Sequence, residues 1–220
     1  MELWIPGIPA TFATKGEIPW KCILEASIPK PTDEGFQGLK LDFMLPTLAP
    51  NNHPLDIDNL CEPVFSLLVN RLGWFGGKRP NIKWWYGRKV CKKPSGLNLS
   101  IEQSEPGNLK EFGKPIFDEA YQGELPRSAT APEIPHWLDS LNLPFNKGTR
   151  FAVRLQFGGL KINLGGIATG RIKSLIDCFY PILGGTKGRP EDWRIDILQV
   201  EKGVINLKEN AVRITIWGIR

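Results

Sequence analysis

Apolar and polar residues alternate along five segments, and this period of two predicts strands at Leu39–Leu45, Gly96–Ile101, Phe151–Phe157, Arg194–Val200 and Ala211–Trp217. In the first of them Leu39, Leu41, Phe43 and Leu45 fall on one side, as a half-buried strand requires. Arg213-Ile214-Thr215-Ile216-Trp217 adds a run rich in β-branched residues. Two other segments predict helices, Asn59–Leu72 and Arg171–Leu183. The first opens after an Asp and closes at Gly73; the second follows Thr169-Gly170 and stops at Gly184-Gly185. A capping oxygen at the start and a glycine at the end are the expected boundary chemistry. A shorter helix is predicted at Pro132–Leu141, where a proline suits the first turn.

These elements occur in the same order twice. Strand Leu39–Leu45, helix Asn59–Leu72, Gly76-Gly77, Arg79-Pro80, a Trp-rich strand and strand Gly96–Ile101 make the first run. Strand Phe151–Phe157, helix Arg171–Leu183, Gly184-Gly185, Arg189-Pro190 and strands Arg194–Val200 and Ala211–Trp217 make the second. An offset of about 110 residues holds throughout, the mark of an internal duplication. The expected fold class is therefore α+β: two tandem units, each a small mixed sheet with one main helix, packed as an intramolecular pseudo-dimer. The boundary is expected within Glu102–Lys114, where Ser104-Glu105-Pro106-Gly107-Asn108 reads as a turn. That places the units at 1–103 and 115–220, about a linker at 104–114.

Composition narrows the classes. With 41% hydrophobic and 23% charged residues over 220 positions, the chain can bury a core, and Gly 23 plus Pro 19 imply short elements and many turns. No apolar run nears the roughly 20 residues of a membrane helix. Met1–Pro6 lacks the charged and apolar regions of a secretory signal, so a cytoplasmic protein is expected. Cys22, Cys61, Cys91 and Cys178 are scattered without a C-x-x-C pair, and only His53 and His136 could assist them; free thiols are expected rather than a zinc site. Lys+Arg 28 against Asp+Glu 23 permits a nucleic-acid partner without arguing for one.

The sharpest local feature is Leu55-Asp56-Ile57-Asp58-Asn59-Leu60, between a strand and the start of a helix. Two carboxylates at i and i+2 of an extended segment lie on one side, about 7 Å apart. A hard cation such as Mg²⁺ takes one or two carboxylates and completes its shell with water and phosphate. The same pair is merely structural if Asp58 caps the helix and Asp56 is solvated.

With its surroundings, this stretch resembles the RusA family of Holliday junction endodeoxyribonucleases. Trp4-Ile5-Pro6-Gly7-Ile8-Pro9, Phe43-Met44-Leu45-Pro46, the D-x-D-N-L at Asp56–Leu60 and Leu72-Gly73-Trp74-Phe75 follow the family's order. In the second half, Gly170–Asp177 mirrors the helix, and Pro190-Glu191-Asp192-Trp193-Arg194-Ile195 mirrors the later acidic segment. The resemblance implies a Mg²⁺-dependent endonuclease acting on branched or structured DNA, with a metal site of three aspartates. Asp56 and Asp58 match two of them, and Asp192 matches the third. The halves are complementary in their losses. The first has Gly76-Gly77-Lys78-Arg79-Pro80-Asn81 where the later acid belongs, Glu62 at the helix lysine and Phe65 at the helix aspartate. The second keeps Asp192 but has Ala168-Thr169-Gly170 in place of the D-x-D. A complete triad requires a site shared between the halves, or substitution by Glu62 or Asp42. A chain that kept the fold and lost the triad would be an inactive nucleic-acid-binding or protein-interaction module.

The run Lys78–Lys89, extended by Lys92-Lys93, interleaves cations with Trp84, Trp85 and Tyr86. Cations there can neutralise phosphates while aromatics stack on exposed bases; alternatively Trp84 and Tyr86 face a core and the cations form the wet face. Lys78, Arg79, Lys83, Arg88, Lys89, Arg171 and Lys173 are the expected phosphate anchors. The chain contains no G-x-x-x-x-G-K-[ST] and no G-x-S-x-G, which removes P-loop and serine-hydrolase chemistry.

Overall fold

The computed structural model describes residues 1–31, 35–76, 81–103, 112–141, 150–167 and 171–219. In chain order the elements are β1 (Glu2–Pro6), α1 (Glu17–Ser27), β2 (Gly38–Leu45), α2 (Ile57–Phe65), β3 (Trp84–Cys91), β4 (Gly96–Glu102), β5 (Phe117–Gln122), α3 (Glu133–Ser140), β6 (Arg150–Phe157), α4 (Ile172–Asp177), α5 (Tyr180–Leu183), a small hairpin of β7 (Gly185–Thr186) and β8 (Arg189–Pro190), β9 (Ile195–Lys202) and β10 (Ala211–Ile219). All five strands expected from alternation form. Both long helices are modified by proline. Pro63 inside α2 offers no N–H to the Asn59 carbonyl, which instead accepts from Phe12 N (3.0 Å), and the helix continues as a wider π-type turn over Ser66–Arg71. The second helix breaks between α4 and α5, because a proline at 181 cannot continue the ladder from α4. Most of the expected linker, 104–111, lies outside the described residues.

Eight strands form one mixed sheet in the order β1-β4-β2-β3-β9-β6-β10-β5. β1 is antiparallel to β4, β4 to β2, and β2 runs parallel to β3. From the other edge, β5 is antiparallel to β10, β10 to β6, and β6 runs parallel to β9. The two edges thus read inward with the same order and directions, and they meet at an antiparallel β3–β9 pair in which Gly87 faces Leu198. Each parallel pair is joined through helices, β2 to β3 by α2 and β6 to β9 by α4 and α5, as parallel neighbours require.

One face of the sheet carries the core. Leu39, Leu41 and Phe43 of β2, Leu97 and Leu99 of β4, Val153 and Leu155 of β6 and Val212 and Ile214 of β10 pack with Leu60, Val64, Leu175 and Ile176 of the helices. The other face holds a small apolar group of Ala152, Ile197 and Trp217. Beside it lie paired charges: Arg154 donates to Glu201 (2.7 Å), and Arg213 donates to Asp118 (2.7 Å). All four cysteines are free thiols. Among the described residues no helix is long and apolar enough to cross a membrane.

Candidate metal centre

The chain leaves β2 at Leu45 and reaches α2 through a loop pinned by Leu55 N–H donating to Leu48 O (3.0 Å). Asp56 occupies the N-cap position in extended backbone, and Asp58 sits in the first helical turn. The helix dipole favours a negative charge there. Asp56 does not cap the helix with its side chain; its Oδ2 accepts from Asn59 Nδ2 (2.7 Å), which fixes the carboxylate. Asp192 begins a tight turn, Asp192–Arg194, that leads into β9. Because β9 runs antiparallel to β3, the start of β9 lies beside the end of β3, next to the Asp56 loop.

This topology brings the three carboxylates together. One ligand atom each from Asp56, Asp58 and Asp192 lies within 4.8 Å of the others. Asp58 is 1% exposed, and its Oδ2 accepts no aligned hydrogen bond. Its neighbour is the Lys173 ammonium, which stands 2.8 Å from Asp58, 3.2 Å from Asp177 and 3.3 Å from Asp192. Lys173 thus reaches from α4, in the second half of the chain, to the aspartates of the first. In the opposite sense Glu62 of α2 accepts from the Ile167 N–H just before α4 (3.0 Å).

Asp56, Asp58, Asp177 and Asp192 outnumber the ammoniums of Lys173 and Lys89 that act on them, which leaves an excess of negative charge. Burial, reinforced by the charges of Asp58 and Asp56, pushes the Asp192 carboxyl up to about 7. Burial and the Asp58 charge also raise Asp56, and burial raises Asp177. Desolvation opposes the Lys173 charge, but Asp58, Asp192 and Asp177 outweigh it and hold the ammonium well above its ordinary value. Each shift on the acids reports a site that gains by admitting a further cation.

The donor set is all oxygen, which selects a hard divalent ion over zinc or copper. Oxygens on one octahedral Mg²⁺ at about 2.1 Å stand about 3.0 Å apart when adjacent and about 4.2 Å when opposite, so carboxylates within 4.8 Å of one another draw closer together to share one ion. The residues fit such an ion.

Several expected site residues are placed otherwise. Asp42 points to the sheet face opposite the core and pairs with Lys40 (3.6 Å), so it does not complete the triad. Glu62 is outside the three-carboxylate group. Lys89, expected to anchor phosphate, is 2% exposed; its ammonium donates to Leu55 O and to Trp193 O (2.8 Å), and burial lowers it to about 8. The reason is strand parity: Trp85, Gly87 and Lys89 share the side facing the helices. Trp84, Tyr86 and Arg88 share the other side, so aromatics and cations are not segregated as alternation suggested. The Trp84 ring covers Gly38, and Tyr86 packs by Ala152, Ile197 and Trp217. Lys173 belongs to the acidic cluster. Lys83, Arg88 and Arg171 are exposed; Lys78 and Arg79 lie outside the described residues. Sequence reasoning missed the structural part played by Lys89, and no local pattern announces a buried lysine. The reach of Lys173 across the halves depends on topology alone. Comparison of the chain with family models, with curated proteins and with solved structures finds no match.

Proposed function

We propose that this chain is a RusA-like, metal-dependent endonuclease that hydrolyses a phosphodiester in branched or structured DNA, built from two tandem copies of one unit fused as a pseudo-dimer. The observation that carries the reading is the meeting of Asp56 and Asp58 from one half with Asp192 from the other. The duplication is supported by the repeated inward order and directions of the strands. It is also supported by a pair of lysines at like places: Lys202 on β9, as Lys89 on β3, donates to a carbonyl in the loop after the parallel partner, here Ile162 O (3.3 Å).

Asp56, Asp58 and Asp192 would hold Mg²⁺ or a similar ion. When bound, such an ion polarises a phosphate oxygen and lowers the pKa of an attacking water. Asn59 keeps Asp56 oriented, and Lys89 ties the two loops that bear the acids. Lys173, at the edge of the cluster, offers a fixed positive charge to negative charge developing on phosphate. Arg171, exposed two residues before it, suits a neighbouring phosphate, and Lys83 and Arg88 suit more distant ones.

A second reading has its own observation. The Lys173 ammonium already lies among the acids, as it would in an inactive nucleic-acid-binding or protein-interaction module whose cluster is only structural. A labelled synthetic four-way junction separates the two. The enzyme reading expects cleavage in Mg²⁺ or Mn²⁺, none in chelator, and binding without cleavage by Asp58→Asn. Binding without cleavage by the unaltered chain in either metal selects the inactive nucleic-acid-binding module, and absence of binding at low salt removes both nucleic-acid readings and leaves a protein-interaction module.

A further inference from the structure

We infer that the chain carries one cutting centre and therefore nicks: it breaks a single strand per encounter with DNA, although its fold repeats. This rests on the endonuclease reading above. The repeated strand order offers two like places for a centre, one at the ends of β2 and β3 beside the start of β9, the other at the ends of β6 and β9 beside the start of β3. The first gathers Asp56, Asp58 and Asp192. For the second, chain order assigns Ala168-Thr169-Gly170 to the place of Asp56 and Asp58, and Gly76–Asn81 to the place of Asp192. Neither segment contains an acid, and the second contains Lys78 and Arg79 instead. The reciprocal contacts show the same asymmetry of charge. Lys173 crosses to a carboxylate, whereas Glu62 crosses to the backbone N–H of Ile167. Among the described residues no other group of three acids, histidines or cysteines converges.

Hydrolysis adds one water across one P–O bond: the water oxygen bonds phosphorus, the sugar oxygen departs with a proton, and a phosphomonoester faces a free hydroxyl. Cutting the opposite strand needs that strand, of reversed polarity, to enter the same centre after release. A symmetric pair of centres would not need this step. With acids at one of the two like places, the chain cuts one strand where a symmetric pair of centres would cut two.

The test uses a negatively supercoiled plasmid whose inverted repeat is extruded as a cruciform, with the full chain limiting. A nick relaxes the plasmid and the cruciform is reabsorbed, so linear DNA arises only when two strands are cut within one encounter. Open circles as the sole product of the first turnover are expected. Linear DNA as a first product overturns the inference and leaves the nuclease reading standing; no cleavage of either this plasmid or the synthetic junction removes both. Independently, Mn²⁺ titration without DNA should find that Asp58→Asn loses all the tight binding of the unaltered chain. Tight Mn²⁺ binding that survives in Asp58→Asn reveals a second centre and overturns the inference.

Discussion

Lys89 puts a buried ammonium between two carbonyls, Leu55 O and Trp193 O, each in the residue next to an aspartate of the cluster. Lys89→Met keeps the aliphatic stem and removes both donations. Metal affinity should fall about 10- to 100-fold, the usual effect of removing support behind a ligand, as read by Mn²⁺ titration calorimetry. The thermal midpoint should fall too, since two carbonyls lose a donor at about 1–3 kcal/mol each. Asp192 gives a pH dependence of opposite character. Its folded pKa, about 7, stands above its unfolded value near 3.8, so the folded state binds the proton more tightly and stability is lost as pH rises from about 4 to about 7. In metal-free protein, Asp192→Asn should raise the thermal midpoint at pH 8, with the gain shrinking steadily as pH falls through 7 towards 4. A gain that is constant with pH would refute this. Asp56 and Asp58 were legible from their spacing beside a helix start, Asp192 only through resemblance. Lys89 and Lys173 were read as surface cations because a run of lysines does not disclose which of them a strand turns inward.

At the scale of elements, the site depends on how closely α2 lies against the sheet. A Cβ on Gly87 of β3 would stand 2.9 Å from Cys61 Sγ and 3.4 Å from Ile57 Cγ1, so only glycine lets the start of α2 approach. Gly87→Ala should cost about 1–3 kcal/mol in urea denaturation, the range for an overpacked core, and should weaken metal binding by displacing Asp56 and Asp58. An unchanged metal affinity would show that the acids do not depend on this approach. The strands were legible because one buried face imposes a strict period of two. β5 was not: only Phe117 of its six residues is buried, the rest of this edge strand being polar or partly exposed. α1 was missed for a related reason. Trp20 and Leu24 alone are buried along its length, and Pro19 falls within its first turn, so no continuous apolar stripe marks it. The π-type turn that follows α2 and the break between α4 and α5 follow from prolines whose identity was visible and whose consequence was underweighted.

At the scale of the whole molecule, the repeated order in the sequence became a single sheet whose two edges read alike towards the β3–β9 pair. Which residues of one half would meet the other was invisible in the chain, because the crossing of Lys173 and the placing of Asp192 arise only when β9 lies against β3. On the proposed function, that placing separates metal binding from DNA binding. Asp58 is buried, whereas Arg171, two residues before Lys173, is exposed, with φ of 63° in the left-handed region. Arg171→Gln should therefore leave Mn²⁺ affinity unchanged and weaken binding to a four-way junction at every sequence tested. The slope of log affinity against log salt should flatten by about one unit, the signature of one lost phosphate contact. Asp58→Asn should do the reverse, leaving the salt slope intact while abolishing metal binding. Fluorescence anisotropy from low to physiological salt, run in parallel with metal titration, measures both. If Arg171→Gln binds DNA with an unchanged slope, the phosphate path does not pass the rim of this cluster, and the acids of the centre are not positioned against DNA from that side.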